Sequence, residues 1–167
     1  EQVADVCLFS AWGKFLGRLT PSLSKNSLIR LEQHRAHDDP VRALTLARAF
    51  VRGKLANMRT MLRRANRGRN DPDIARAAES LKGVLDQADS LLPDAAAAPP
   101  DPTRPQAGSA YGTLLGLEGA GTAFYFGVFG RLLKEDWGFT GRHRRPPRDP
   151  VNALLSYGFV LLMNKVA

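Results

Sequence analysis

This sequence can form neither an internal disulfide bond nor a membrane-spanning hydrophobic segment. The one cysteine, Cys7, excludes an internal disulfide and favours a reducing cytoplasm as the location. The longest strictly apolar run, FVLLM at 159–163, is far shorter than the roughly 18 residues of a membrane span. No signal-peptide pattern opens the sequence. We therefore expect a cytoplasmic protein with no membrane partner.

Lysine is scarce for so basic a chain. Lys and Arg outnumber Asp and Glu 24 to 16, which gives a formal net charge of +8, yet only six of the 24 are lysine. Because the arginine fork matches phosphate oxygens bidentately, this excess favours nucleic acid or another polyanion as a partner. A merely basic soluble protein is the alternative, since charge reports on binding and not on fold.

Three of the Asp-Pro pairs, at 39–40, 71–72 and 149–150, predict where helices begin. Asp is a favoured N-cap, and Pro suits the first helical position because it has no N–H to leave unpaired there. The predicted helices run from Pro40 to about Asn66, from Pro72 to about Leu92 and from Pro150 to the chain end. A fourth helix is predicted over about Ser109 to Lys134.

The remaining sequence predicts a β-hairpin, a short helix and a linker. Residues 1–20 are predicted to be the last hairpin of a β-domain, and residues 21–39 a connecting loop and short helix. Residues 40–167 form the predicted helical domain, in which the proline-rich segment 93–107 is a linker. The predicted fold class is mainly α: a helical C-terminal domain preceded by the end of a mostly absent N-terminal β-domain. Both chain ends have the pattern of cut ends, with a truncation expected at the C-terminus.

The first long helix carries an apolar arc with a basic arc beside it. Neighbouring guanidinium groups repel each other at this spacing, so the basic arc costs stability unless an anion compensates. It predicts a track for the DNA phosphate backbone, which gives affinity without base specificity. A solvated face partly neutralised by acidic residues is the alternative. The apolar arc holds Leu44, Ala47, Val51, Leu55, Met58 and Leu62, and the basic arc holds Arg48, Arg52, Arg59 and Arg63.

The helix at 109–134 places one carboxylate, Glu118, within a bulky apolar arc. That arc holds Leu114, Gly121, Tyr125, Val128, Phe129 and Leu132. A buried carboxylate is costly unless it meets a cation or a metal. A metal or catalytic role, a salt bridge to a core arginine, and a face open to solvent all stay open. One carboxylate alone does not hold a divalent ion.

Other residues are weaker candidates for metal ligands. The stretch HRAHDD at 34–39 has poor metal spacing, and Asp39 serves better as a cap. His143 lies among arginines that disfavour a bound cation, and Asp149 is explained as a cap. The loop at 138–149 packs its arginines around two prolines, where they could face a phosphate. Asn152, Ser156 and Tyr157 place polar groups on the helix that follows, which either line a cleft or make helix–helix hydrogen bonds.

Two blocks of the sequence together resemble a known family. LEGAGTAFYFGVFGRLL at 117–133 and RHRRPPRDPVNALLSYGFVLL at 142–162 are similar to the CRISPR-associated integrase-endonucleases of spacer acquisition, the Cas-one family. The earlier segments GKFLGRLTP, LIRLEQHRA and ARAFVRGKLANMRTMLRR resemble the same family's connection between its β-domain and its helical domain. The resemblance covers nearly the whole chain apart from the Pro/Ala linker.

The resemblance implies a prokaryotic DNA integrase and endonuclease of antiviral defence. Such a protein captures short prespacer DNA and joins its 3′-OH ends to the CRISPR repeat by transesterification, with Mg²⁺ or Mn²⁺. It implies a homodimer, a small Cas-two type subunit and a Cas-four type nuclease, fused or separate. Glu118 matches the family's metal-binding Glu, and the remaining His and Asp ligands are expected beyond residue 167. Asn152 and Tyr157 are implied to lie near the reaction centre, with Tyr157 the nearer to DNA.

The predicted DNA contacts combine the basic arc with the basic proline loop. They are Arg48, Arg52, Arg59, Arg63, Arg142, Arg144 and Arg145. The alternative function is a non-catalytic basic helical scaffold in which Glu118 is a structural ion pair. An RNA-binding helical domain ranks last, because it would need exposed aromatic platforms and the aromatic residues at 124–129 have a core pattern.

Overall fold

The computed structural model describes residues 6–19, 27–91, 109–143 and 145–166. Its elements are β1 (Val6–Phe9), β2 (Phe15–Leu19), α1 (Ser27–Asp38), α2 (Pro40–Asn66), α3 (Pro72–Ser90), α4 (Ala110–Phe129), a short 3₁₀ turn (Gly130–Leu132) and α5 (Pro150–Val166). The predicted mainly α fold with a preceding hairpin is therefore confirmed. Within those ranges, no helix is both long enough and apolar enough to cross a membrane. The predicted loop before α1 and the predicted linker at 93–107 lie outside the described residues.

Aspartate caps start three of the helices where the Asp-Pro pairs predicted. Asp39 Oδ1 accepts from the backbone N–H groups of Val41 and Arg42 at 2.9 and 3.1 Å. Asp71 and Asp149 accept backbone N–H groups of α3 and α5 in the same way. Each cap satisfies N–H groups that the first helical turn leaves without a partner, which is why the boundaries could be predicted locally.

The chain forms two compact units. One spans Leu28–Lys134, and the other combines Glu1–Ser27 with Glu135–Ala167. In the first unit α2, α3 and α4 pack against one another around a shared apolar core. The predicted domain boundaries at residues 20 and 39 stay a prediction.

The core of the Leu28–Lys134 unit uses the apolar arcs predicted for α2 and α4. Leu44, Leu55 and Leu62 are buried on α2, and Leu114 and Tyr125 are buried on α4. Burial of an aliphatic side chain of this size stabilises a fold by about 1.5–3 kcal/mol. From α3 the core receives Ile74, Ala77, Ala78, Leu81 and Val84.

Gly121 allows α4 to approach α2 closely. A Cβ atom at this position would stand 2.4 Å from Leu55 Cδ2 and 3.2 Å from Leu81 Cδ2. Both leucines are fully buried, with exposed fractions of 0%, so neither side chain has free space to move into. The absence of a side chain at Gly121 is therefore what lets Leu55 fill the notch.

Replacing Gly121 by alanine is expected to destabilise this unit by about 1–3 kcal/mol because the added methyl overpacks a filled core. Gly119→Ala on the same helix is the matched control, since nothing lies within 4 Å of its Cβ position. That control is expected to be neutral or to stabilise by up to about 1 kcal/mol through helix propensity. Urea unfolding measures the free energy of unfolding of both variants. Equal values for the two would contradict the close packing of Leu55 against Gly121.

The second unit contains the hairpin and α5. Strands β1 and β2 pair antiparallel, with Val6 opposite Leu19 and a register irregularity between Leu8 and Phe9. Phe9 contacts Tyr157 edge to face, with ring centroids 5.6 Å apart, and so joins the hairpin to α5. Among the described residues of this unit, Asn152 is the one that is fully buried.

Candidate active site and nucleic-acid interface

Glu118 lies at the α2–α4 contact, where its partner is a lysine. Lys54 Nζ on α2 donates to Glu118 Oε1 and also to Thr122 Oγ1, at 3.0 Å for the second contact. Thr122 Oγ1 in turn lies 3.1 Å from Glu118 Oε1. The Glu118 side chain is 27% exposed, so this part of the helix face is partly open to solvent, which was one of the alternatives left open by the sequence. The pattern placed Glu118 within the apolar arc, but the packing of α2 leaves it at the edge of that arc.

The described residues do not by themselves fit a divalent metal ion. They contain no group of three His, Cys, Asp or Glu side chains that could hold one. Glu118 belongs to the Leu28–Lys134 unit, whereas His143 and Asp149 belong to the other unit. Since Mg²⁺ and Mn²⁺ prefer several oxygen or imidazole ligands, a single carboxylate beside an ammonium group is not sufficient.

The basic arc of α2 largely faces α3. Arg48 Nη1 donates to the carbonyl of Leu91 at 2.7 Å, and Arg59 Nε donates to a carbonyl of α3 at 3.1 Å. Arg52 Nε pairs with Asp89 Oδ1 at 2.7 Å. Three of the four predicted phosphate contacts therefore already have partners within the chain. Their assignment to DNA stays a prediction.

The C-terminal end of α2 offers a second basic surface. A cavity of about 280 Å³ opens there between α2 and α3, and Arg59, Arg63 and Arg67 line it together with Glu79. Arg63 and Arg67 are exposed. The basic arc predicted from the sequence ended at Arg63, and the place of Arg67 beside Arg63 depends on how α3 packs against the end of α2.

In the second unit, Arg142 is held inside a polar network. Its Nη1 atom donates to Asn152 Oδ1 at 2.8 Å, and its Nη2 atom donates to Ser156 Oγ at 3.2 Å. The guanidinium carbon also lies 5.6 Å from the ring centroid of Phe159, a cation–π distance. Arg142 therefore contributes to local structure, whereas Arg145 is exposed. Arg144, the third predicted contact of this loop, lies outside the described residues.

Asn152 joins the loop to the first turn of α5. Its Oδ1 atom also accepts the backbone N–H of His143 at 2.9 Å, and its Nδ2 atom donates to the carbonyl of Gly141 at 2.8 Å. Nδ2 further donates to Asp149 Oδ2 at 2.6 Å. Both the oxygen and the nitrogen of this fully buried side-chain amide are thus hydrogen-bonded within the chain. Asn152 therefore has the geometry of a residue that supports the local structure.

The same network lowers the pKa of Asp149 below its usual range. The hydrogen bond from the Asn152 side chain is the main cause, and it outweighs the burial that would raise the pKa. Backbone N–H groups and the nearby His143 act in the same direction as that hydrogen bond. A depressed carboxyl pKa contributes stability above the ordinary value of 3.8, and this contribution is lost as the pH falls through the lowered value.

Tyr157 is 44% exposed while its ring contacts Phe9. Its position beside the hairpin leaves part of the ring free to meet a ligand. Sequence reasoning missed Lys54 and Thr122 as neighbours of Glu118. The four-residue spacing of Glu118 and Thr122 was a usable local signal, but Lys54 lies 64 residues away from Glu118.

Comparison with protein families places the chain clearly. The family model for CRISPR associated protein Cas1 matches residues 1–167. A CRISPR-associated endonuclease Cas1 of Rhodospirillum rubrum is 33% identical over 160 residues, which cover 94% of this chain and 43% of that protein. A Cas4 exonuclease/Cas1 endonuclease fusion of Geobacter sulfurreducens is 36% identical over 94% of this chain and 26% of the fusion.

Solved structures agree with these matches. A Cas6-RT-Cas1–Cas2 complex contains a chain that superposes with a TM-score of 0.62 and 28% identity, over 95% of this chain and 16% of that one. The chain thus spans less than half the length of the relatives described. The resemblance noted for the blocks around Glu118 and Asn152 is confirmed over the whole sequence, and the chain belongs to the Cas1 family of CRISPR-associated proteins.

Proposed function

We propose that the protein to which this chain belongs acts in CRISPR adaptation as a DNA integrase and endonuclease. It would capture short DNA and join the 3′-OH ends of that DNA to the repeat array. The observation that carries this proposal is the match to the Cas1 family model over residues 1–167. Relatives named as endonucleases support the nuclease activity.

The reaction we propose is a transesterification. The 3′ hydroxyl of the captured DNA loses its proton as its oxygen forms a bond to a phosphorus of the repeat. The bond from that phosphorus to its original 3′ oxygen breaks, and the released oxygen takes up a proton. A divalent Mg²⁺ or Mn²⁺ ion, which the family resemblance implies, supplies charge neutralisation at phosphate when bound. Glu118 is the candidate ligand within this chain, and further ligands would have to come from outside the described residues.

The residues of this chain have separate roles in the proposal. Glu118 offers a partly exposed carboxylate to a ligand, and Tyr157 offers a partly exposed ring to DNA. Asn152 supports the loop that carries Arg145, and its place near the reaction centre stays a prediction. Arg63 would contact phosphates from the end of α2.

The proposed partners are DNA, a second copy of the chain and a small Cas2-type subunit. Two structural neighbours are parts of complexes that contain Cas2, which supports the subunit. The Geobacter sulfurreducens fusion supports a Cas4-type nuclease as a further partner, either fused or separate. The homodimer rests on the family resemblance alone.

A non-catalytic basic scaffold is the second candidate function. The ion pair between Lys54 and Glu118 favours it, because that pair compensates the carboxylate with no metal ion. In a scaffold, Glu118 would stabilise the α2–α4 contact and the arginines would provide DNA affinity alone.

A strand-joining assay separates the two candidates. The complete protein, with a Cas2-type subunit, is incubated with Mn²⁺, short DNA and a plasmid that carries the repeat. The proposal expects joined product from DNA with 3′-OH ends and none from DNA with 3′-deoxy ends. DNA binding with no joined product under any of these conditions would support the scaffold.

Neutralising Arg63 and Arg67 to glutamine is expected to weaken DNA binding and to flatten its salt dependence. If both guanidinium groups touch phosphates, the slope of log K against log salt falls by up to about 1.8 units, roughly 0.9 per contact. Equilibrium binding at several salt concentrations measures the slope. Arg76→Gln is the control, because Arg76 already pairs with Asp73. A slope equal to that of the wild type would show that Arg63 and Arg67 are only solvated.

A further inference from the structure

We infer that Trp12, at the tip of the β1–β2 hairpin, is a stacking platform for an unpaired DNA base, and this rests on the proposed function only in taking DNA as the ligand. Trp12 is 95% exposed, although tryptophan is on average a highly buried residue. Among the described residues, its ring makes no aromatic contact. Both faces of the indole are therefore open to a ligand that has a flat face of its own.

The hairpin turn holds the backbone of Trp12 in place before any ligand binds. The Ser10 N–H donates to the Lys14 carbonyl at 2.8 Å, and the Gly13 N–H donates to the Ser10 carbonyl at 2.9 Å. Ser10 Oγ accepts the backbone N–H groups of Trp12 and Lys14 at 3.3 and 3.1 Å. Because the backbone is already ordered, binding has to fix only the side-chain torsions of Trp12, which lowers its entropic cost.

Aromatic contacts below the tip anchor the hairpin to α5. The position of a Cβ atom on Gly13, the residue after Trp12, lies 3.8 Å from Tyr157 Cδ2. Phe9 packs edge to face against both Phe15 and Tyr157, with ring centroids 5.7 and 5.6 Å away. These rings support each other from the strands and the helix, so Trp12 is presented to solvent on a supported base.

The charges near Trp12 favour a polyanion as the ligand. The segment 6–19 carries Lys14 and Arg18 and no acidic residue, and Lys14 is exposed. Arg145 and Arg148 are exposed in the same compact unit. An aromatic ring on a basic surface is typical of proteins that bind single-stranded nucleic acid, because the cations follow the phosphates while the ring stacks on a base.

The geometry of stacking selects an unpaired base. Inside a duplex, both faces of each base are covered by neighbouring bases, so a side chain stacks there only after the step has been opened at a cost. A base in a single strand offers its face without that cost. Trp12 is therefore expected to add affinity for single-stranded DNA of any sequence, since every base has a π-face.

The second tryptophan of the chain, Trp137, provides a matched control. It belongs to the same compact unit and is 51% exposed. It directly follows Glu135 and Asp136, which are both exposed. Because these carboxylates repel a phosphate backbone, we expect Trp137 to contribute nothing to DNA affinity.

Binding of oligothymidylate to the complete protein tests the platform. Fluorescence polarisation with a labelled strand of about 16 nucleotides compares the wild type with W12A, W12F and W137A. We expect W12A to lose at least about fivefold in affinity, W12F to stay within about threefold because it keeps a ring, and W137A to bind like the wild type. Filter binding to relaxed closed-circular DNA, which has no ends, should be unchanged in all three variants.

An unchanged affinity of W12A for oligothymidylate overturns the inference, and so does a failure of the wild type to bind that strand. An equal loss for closed-circular DNA also overturns it, because the lost contact would not then require an unpaired base. Normal strand binding by W12A together with a weakened complex with the Cas2-type subunit would assign Trp12 to a protein interface instead. Thermal unfolding checks that each variant is folded.

Photo-cross-linking gives a second measurement that needs no substitution. Single-stranded DNA that contains 5-iodouracil is irradiated with the wild-type protein, and the cross-linked peptides are identified by mass spectrometry. We expect a cross-link to Trp12, because the ring would lie against the iodinated base. Cross-links that are confined to other peptides would overturn the stacking.

The outcomes separate the platform from the proposed function. Joining of 3′-OH DNA by the wild type, together with normal oligothymidylate binding by W12A, removes the platform and leaves the integrase proposal in place. Weakened oligothymidylate binding by W12A with no joining by the wild type leaves the platform in place and removes the integrase proposal.

Discussion

Replacing Glu118 by glutamine in the complete protein is expected to lower the rate of DNA strand joining by at least about 100-fold, a loss typical of removing a group that acts at the reacting atoms. Glutamine keeps the size of the side chain and an oxygen that can accept from Lys54. It removes the negative charge that a divalent cation would require at this position. Single-turnover joining of 3′-OH DNA to a repeat plasmid measures the rate.

DNA affinity is expected to stay within about threefold in the same variant, because phosphate contacts come from arginine side chains and not from a carboxylate. Glu32→Gln is the control, since Glu32 also pairs with a basic side chain, that of Arg35, but lies on the exposed surface of α1. The control should join DNA at the wild-type rate. A Glu118→Gln protein that joins DNA normally but unfolds at lower temperature would identify Glu118 as a structural ion pair.

Replacing Asn152 by alanine is expected to release the loop at 141–149 from α5. The change leaves the His143 N–H and the Gly141 carbonyl without their side-chain partner, and it removes an acceptor from Arg142. Since each buried polar group left unpaired costs about 1–3 kcal/mol, the opening free energy of the loop should fall by about 2–4 kcal/mol. Native-state hydrogen exchange at His143 would then accelerate by about 30-fold or more.

Ser156→Ala is the matched control for this effect. Ser156 Oγ only accepts from Arg142, at 3.2 and 3.3 Å, so its loss should cost less than about 1 kcal/mol. DNA affinity gives the second reading, because Arg145 depends on the loop for its position. An Asn152→Ala protein with normal exchange at His143 would show that the loop is held by other contacts.

Local signals account for the parts of this fold that the sequence predicted well. The Asp-Pro pairs gave the starts of α2, α3 and α5 because capping depends on residues two or three positions apart. The apolar arc of α2 gave Leu44, Leu55 and Leu62 as core residues because helical periodicity is a property of one segment. The family resemblance needed only contiguous blocks, so it also followed from sequence.

Local sequence signals predicted less of the candidate site than of the fold. The pattern identified Glu118 as an unusual carboxylate but offered an arginine or a metal as its partner, and the structure supplies Lys54. The basic arc of α2 predicted a surface that contacts DNA phosphates. In the structure, Arg48 and Arg52 instead have polar contacts with residues at the C-terminal end of α3. The place of Asn152 near the reaction centre, implied by the resemblance, stays a prediction, and the structure adds its hydrogen bonds to the loop at 141–149.

The sequence by itself determined the helix boundaries, the core face of α2, the basic character of the chain and its family. Only the tertiary structure decided which charges meet. Lys54 and Glu118 lie 64 residues apart, and their contact exists because Leu55 seats against Gly121 and so fixes α2 against α4. Periodicity gives the direction of a side chain around its own helix, but the register between two helices comes from packing, and packing selects the partners.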